Sequence, residues 1–259
     1  MENLLTEIAK MFPAFDANFA AGFIVFSRFL GFVCFAPVFC RKDFPIIAKM
    51  GFVFLTTVMI VCILKPSAPP MGNDIIVPIV LNSAVGAMLG FMARLILIAV
   101  DAGGDMINMQ MGLSSAMVLD PTSQKQVSLM ENIFSLLGVL IFINIGGIYW
   151  LFNAFMRSFD VFPLYSMTIP LMDIVNFDYL LKMTSNVLFM GLQIASPILL
   201  ATLGQDIILG TISKTAPQVN VFQLSFLFKP VFGAAILIWI MPMMINVISD
   251  YFMSFSRIF

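Results

Sequence analysis

Histidine is absent from all 259 residues, and charge is scarce: 13 Lys or Arg and 14 Asp or Glu make up 10 % of the chain, against roughly a quarter in soluble domains. Without histidine, acid–base relays and catalytic triads lose their usual proton carrier, and metal sites lose their commonest ligand. Cysteine is nearly as sparse. Cys34, Cys40 and Cys62 lie in apolar runs with no CxxC, and three is an odd number, which reads as buried reduced thiols. No GxxxxGK[ST], GxGxxG or GxSxG occurs. These absences set aside an intramembrane hydrolase and an ATP-driven pump, so the chain is expected to be no enzyme and to need no cofactor or metal. A net charge of −1 and a pI near 5.3 supply no basic field for nucleic acid.

What is present is apolar. Hydrophobic residues reach 61 %, with 28 Phe and 21 Met, and mean hydropathy is +1.03. That exceeds the ~45–50 % apolar content of soluble chains, so lipid or other subunits must cover part of the surface. A charge at mid-bilayer costs on the order of 2.5–3.5 kcal/mol, and the intervals between charges therefore mark candidate spans. Three charge-free runs are long enough: Asn132 to Met156, Met183 to Gln205, and Pro230 to Ser249. Ile75 to Ala93 continues past Arg94 to Val100, Ala17 to Cys40 is interrupted by Arg28, and Ile46 to Leu64 by Lys49.

The expected fold is all-α and polytopic, with about six hydrophobic helices. Pro37, Pro78, Pro197 and Pro242 fall inside the runs and are expected to kink them. Pro66, Pro69, Pro70 and Gly72 mark a turn. Met1 to Phe15 carries Glu2, Glu7 and Lys10 and does not read as a cleaved signal peptide. Six Lys or Arg fall on one side of the spans and five on the other, so the positive-inside rule sets no orientation. Partners or helix hairpins are expected to set it instead.

Asp101 to Glu131 interrupts the apolar pattern with polar, small and soft residues. Gly103, Gly104 and Gly112 permit bends and close approach. Met106, Met109, Met111 and Met117 place four flexible, polarizable side chains within twelve residues, a composition suited to a deformable seal. The plainer reading is an amphipathic helix with Met as core filler, followed by a turn at Asp120-Pro121. Elsewhere, Gly86 and Gly90 form a GxxxG that permits close helix contact. Arg28, Lys49 and Arg94 lie in or beside apolar runs, where an ionisable group marks either function or a structural pair, with Asp101 or Asp105 as candidate partners. Asp206, Lys214 and Lys229 flank the stretch Ala216-Pro217-Gln218, which reads as a loop resting on another surface.

Together these residues resemble the flagellar biosynthetic protein FliR family, which includes the SctT-type proteins of virulence type III secretion. The resemblance covers nearly the whole chain. It rests on Arg28, Gly31, Pro37, Pro45 and Pro66; on Ala102-Gly103, Gln110, Gly112, Asp120-Pro121 and Gln126; and on Ser158-Phe159 with Pro163. In the last third it rests on Pro197, Asp206, Leu209-Gly210, Ile212-Ser213, Ala216-Pro217-Gln218, Asn220-Val221-Phe222 and Lys229. Two positions depart: Lys214 stands where Arg is usual, and Gly146-Gly147-Ile148-Tyr149 lacks the His that often follows Gly there.

The resemblance implies a core subunit of the type III protein export gate, assembled helically with FliP-type and FliQ-type subunits and docking FlhB-type and FlhA-type components. Residues 1–259 would form one FliR-like domain, with a FliP-like part at 1–182 and a FliQ-like part at 183–259. The subunit would sit in the bacterial inner membrane, within a flagellar basal body or injectisome, with part above the bilayer on the periplasmic side. By the same resemblance Met106, Asn108, Met109, Gln110, Met111, Gly112, Leu113 and Met117 would plug the closed pore. Arg28, Gly86, Gly90, Arg94, Asp120, Pro121, Asp206, Lys214, Pro217 and Gln218 would serve packing and partner contact. Conduction of unfolded substrates would be passive, powered by a separate ATPase and the proton-motive force. The competing expectation is a self-contained secondary transporter using Arg94, Asp101 and Asp105 as an ion relay; a third is a purely structural nucleus for assembly.

Overall fold

The computed structural model describes residues 13–39, 45–64, 75–114, 128–165 and 177–256. These residues form seven helices: α1 (Pro13–Phe35), α2 (Ile46–Leu64), α3 (Ile76–Gln110), α4 (Leu129–Asn144), α5 (Gly147–Val161), α6 (Phe177–Thr215) and α7 (Val221–Ser256). Met117, Asp120, Pro121, Gln126 and the Pro66-to-Gly72 turn lie outside the described residues.

Local chemistry sets several helix ends. Ser128 is extended (φ −60°, ψ 119°) and its hydroxyl accepts from Glu131 N at 3.3 Å, capping α4 in a Ser-x-x-Glu pattern. Asn220 caps α7 in the same way, its Oδ1 accepting from Gln223 N at 3.3 Å. Lys214 occupies the last turn of α6, where a cation complements the negative helix end. Hydroxyls inside apolar helices bond back to carbonyls of the preceding turn, as Thr57 does to Val53 at 2.7 Å and Thr202 to Ile198 at 2.8 Å, so these hydroxyls are satisfied within their own helices.

Among the described residues, four helices are long and apolar enough to cross a membrane: Ile46–Leu64, Ile76–Gln110, Thr184–Thr215 and Val221–Ser254. Counting the bent pair α4–α5 as one span makes five. Helices α3, α6 and α7 hold 35, 39 and 36 residues, which is about 50–60 Å of helix where ~20 residues cross the hydrocarbon. Each carries helix well past a bilayer core.

The structure corrects the sequence reading in several places. The run Asn132 to Met156 is not one helix. α4 and α5 meet at 70°, because Gly146 takes φ +81°, a left-handed conformation that ends α4. The apolar part of α1 is Ala20–Phe35, short for a span, and Pro37 lies beyond the helix end instead of kinking it. Pro78 sits in the first turn of α3, where its missing N–H costs no helical bond. Pro197 lies inside α6, and Pro230 and Pro242 lie inside α7. The polar interruption at Asp101 does not break the helix: residues through Gln110 are the last turns of α3. Cys34 and Cys62 are free thiols but exposed, since the outer faces of α1 and α2 are as apolar as their inner ones.

The chain divides into two compact units, Met1–Arg94 with Leu151–Leu180, and Leu95–Trp150 with Leu181–Phe259. In the first, α1, α2 and α5 share a phenylalanine core: Phe29 lies 5.0 Å from Phe155, 5.8 Å from Phe52 and 6.2 Å from Phe152 between ring centroids. Within this unit α1 meets α3 backbone to backbone. A β-carbon at Gly86 would collide with the Arg28 carbonyl and come within 3.0 Å of Phe32 N, one at Gly31 would strike the Ser83 carbonyl, and one at Gly90 would sit 2.5 Å from the Phe32 carbonyl.

In the second unit α3 packs on α4 and α6. Gly104 lies under Phe134, and Gly103 lies 3.1 Å from the Gly191 carbonyl and from Ile194 Cβ, both measured from a β-carbon placed on the glycine. Both glycines therefore serve close approach within a helix, not bending. Phe142 of α4 meets Phe252 of α7 edge-on at 5.8 Å.

Since rigid backbone fills the space beside Gly86, Gly86→Ala should destabilise the protein by about 1–3 kcal/mol through overpacking. Gly51→Ala, where nothing lies within 4 Å, should not. Thermal unfolding in detergent distinguishes the two, and equal melting temperatures would refute the close α1–α3 contact.

Candidate functional site

Arg28 is fully buried in the first unit. Its guanidinium lies on α1 one turn before Phe32, and all five N–H groups have an acceptor. Nε and Nη2 donate to Asn82 Oδ1, the former at 2.8 Å; Nη1 donates to the Ser158 carbonyl at 3.0 Å and its hydroxyl at 3.2 Å; Nη2 also donates to the Phe162 carbonyl at 2.7 Å. Among the described residues these partners are neutral, not the Asp101 or Asp105 that sequence put forward. The positive charge is instead met by carbonyls at the negative end of the α5 dipole: that of Ser158, which also accepts from Phe162 N at 2.9 Å, and that of Phe162 just past the helix. The faces of Phe159 and Phe162, 4.2 and 5.5 Å from Cζ, add to this. Asn82 completes the centre by donating from Nδ2 to the Pro78 and Leu164 carbonyls at 2.7 and 3.1 Å. Next to Leu164, burial pushes the Tyr165 phenol up from its ordinary pKa.

Residues singled out separately in the sequence thus converge. Arg28, Ser158 and Phe159 meet at one centre, and Gly86 of the GxxxG presses on the Arg28 backbone one turn after Asn82. Asn82 was missed; an amide in an apolar run at i−4 from Gly86 was the available signal. Arg94 is exposed.

In the second unit the methionine-rich segment forms the end of α3. Met111 N still bonds to Ile107 O at 2.9 Å, Gly112 N reaches back to Met109 O at 3.1 Å, and Gly112 takes φ +72°, so the helix ends in a left-handed glycine cap. Asn108, 1 % exposed, donates from Nδ2 to Ser114 Oγ at 2.9 Å across that turn, while its Oδ1 has no partner among the described residues. The methionines point different ways: Met111 is 1 % exposed and Met109 64 %, with Met106, Gln110 and Leu113 partly covered. Met111 lies against Gly233 of α7. Further along the hairpin of α6 and α7, Asp206 pairs with Lys229 at 2.7 Å. Lys214, Pro217 and Gln218 are exposed at its tip. Gln205, buried beside Asp206 in sequence, keeps Oε1 unpartnered among the described residues and was not foreseen.

Long apolar helices, one of them closed on a buried guanidinium through Asn82, define a polytopic helical membrane protein. The particular family follows from comparison: the model of the bacterial export proteins, family 1, matches residues 19–255, and the chain belongs to that family. It is similar to the flagellar biosynthetic protein FliR of Bacillus subtilis (strain 168), 26 % identical over 250 residues covering 96 % of this chain and 93 % of the relative. FliR of Escherichia coli (strain K12) is 27 % identical over 228 residues, 83 % of this chain and 82 % of the relative. The surface presentation of antigens protein SpaR of Salmonella typhimurium is 27 % identical over 226 residues, 84 % of this chain and 83 % of the relative. The chain is accordingly a membrane component of the type III export apparatus, working with other export components. A self-contained ion transporter finds no support in these relatives.

Arg28→Lys keeps the charge but offers three donors without the planar fork, and Asn82→Leu removes the shared acceptor of Nε and Nη2. Each should cost about 1.5–3 kcal/mol, the worth of hydrogen bonds to a charged group. A fall of several degrees in the melting temperature of the purified protein is expected, and unchanged unfolding would show that the centre does not hold the unit together.

Proposed function

We propose that this chain is a core subunit of the export gate, one that lines and closes the channel through which unfolded substrates pass. Met106, Asn108, Met109, Gln110, Met111, Gly112, Leu113 and Met117 form the plug. The observation that carries this reading is the divided placement of the segment at the end of α3: Met111 anchored inside the fold and Met109 presented outward at 64 % exposure. One methionine fixes the segment while another is left to meet whatever lies across the channel. Methionine suits the task because its unbranched thioether repacks cheaply, closing against ions and parting for a chain.

The surrounding assembly follows the family. FliP-type and FliQ-type subunits cover the exposed apolar helix faces, with residues 1–182 the FliP-like and 183–259 the FliQ-like part of this chain. FlhB-type and FlhA-type components dock, and the exposed hairpin tip with Lys214, Pro217 and Gln218 is offered for contact. The complex belongs to the inner membrane, and helices longer than a bilayer core support placing part of it above the bilayer on the periplasmic side. The chain contributes a conduit, and energy comes from elsewhere in the apparatus.

Replacing the methionines of 106–117 by glycine should leave the complex assembled but leaky. Co-purification reports assembly, and the uptake of a normally excluded ion or small solute reports the seal. Unchanged permeability in an assembled complex would count against the plug, and loss of assembly with normal permeability would favour the purely structural role.

A further inference from the structure

We propose that Gly233 of α7 is the seat of the gate, a positioning residue that sets the closed state by receiving Met111. The inference rests on reading the end of α3 as the gate, and it adds the element that holds it shut.

A β-carbon at Gly233 would lie 2.7 Å from Met111 Cγ, 3.0 Å from Cε and 3.2 Å from Sδ. These are its three nearest atoms, so the outer half of the Met111 side chain occupies the space that any larger residue at 233 would claim. The fit is selective: Met111 is 1 % exposed while Met109, two residues earlier, is 64 % exposed. Its backbone is held as well, by the helical bond from Met111 N to Ile107 O at 2.9 Å and by the left-handed turn at Gly112 immediately after. Helix α3 therefore delivers this side chain to α7 with its main chain already fixed.

The contact differs in kind from the close glycines between α1 and α3. Beside Gly31 and Gly86 the nearest atoms are backbone, and beside Gly90 the nearest is a backbone carbonyl, so those approaches are permanent. Beside Gly233 they belong to the most adaptable apolar side chain, which can rotate away and return without a backbone shift and without breaking a hydrogen bond. Lys229 lies one turn before Gly233 on the same face of α7, and its Nζ holds Asp206 of α6 at 2.7 Å. A movement of the α6–α7 hairpin thus displaces the seat directly. Leaving the seat frees Met111, and the plug with it.

The test uses the full-length chain assembled in its export complex in cells, with Cys34, Cys40 and Cys62 replaced by Ala. In Met111→Cys/Gly233→Cys the two side chains lie within reach of a disulfide, because a β-carbon at 233 stands 2.7 Å from Met111 Cγ, the atom bonded to Met111 Cβ. Oxidation should produce the cross-link, seen as protection from alkylation, and should abolish export of a secreted substrate; reductant should restore it. Gly233→Ala alone should raise the ion permeability of resting cells while the complex still co-purifies. Met111→Ala/Gly233→Ala should be tighter than either single variant, because the shortened side chain vacates the space the new β-carbon needs.

A missing cross-link overturns the seat. A cross-link with undiminished export leaves the contact standing but overturns the gate reading beneath it. A Gly233→Ala complex that assembles and stays as tight as the parent overturns the positioning role.

Discussion

Burying the Arg28 guanidinium without a carboxylate among its described neighbours constrains the whole first unit. Removing such a charge from water costs several kcal/mol even after relaxation, and only a full set of acceptors at good geometry repays it. The acceptors come from Asn82 on α3 and from Ser158 and Phe162 at the end of α5. Each has a structural consequence. Helix α5 must end where it does, because the Phe162 carbonyl can turn to Arg28 Nη2 only if no further helical turn claims it. Helices α1 and α3 must approach to backbone contact for Asn82 to reach, and that contact is possible only with glycine at 31, 86 and 90. A bland GxxxG and a solitary arginine thereby become two halves of one requirement.

Such a centre supplies what a phenylalanine core does not. Rings tilted and edge-on at 5.0–6.3 Å gain contact in many arrangements, and a chain with 28 Phe has many ways to bury them. Five directed hydrogen bonds from one rigid fork have one solution. In a membrane protein the alternative of solvating the stray donors is missing, which sharpens the choice further.

Helices α2, α3, α6 and α7 stand close to where the apolar runs placed them, because a run that long with so few charges has little else to be; the charge-free run Asn132 to Met156 is the exception, broken at Gly146. What was illegible depended on position within a run. Gly146-Gly147 reads equally as small residues in a span or as a left-handed break, and only packing against Phe142 decides. Pro37 and Pro78 look like kinks until the helix ends are known. The partners of Arg28 lie 54, 130 and 134 residues away, and two of them include main-chain carbonyls, which leave no trace in residue type. The family resemblance quoted Arg28 and Ser158-Phe159 as separate marks; their meeting explains why those residue types belong to one pattern. In the methionine segment, composition conveyed softness, but which methionine is anchored depended on Gly233, more than a hundred residues on.

Glycine serves two opposite ends in these units, and the difference lies in what it faces. Against backbone, a missing β-carbon fixes two helices at a separation that neither can change without moving whole elements, since packed interiors resist continuous deformation. Against a methionine side chain the same missing β-carbon makes a socket whose occupant can leave by rotation alone. A subunit that must hold its position in an apparatus and yet let a chain through needs both kinds of contact. It also needs them kept apart, because a gate whose motion strained the Arg28 centre would have to break charged hydrogen bonds at every opening. The contacts of Gly31, Gly86 and Gly90 around Arg28 are to backbone, whereas the Met111 socket opens by rotation of one side chain, so the soft element can move without calling on the acceptors on which the buried charge depends.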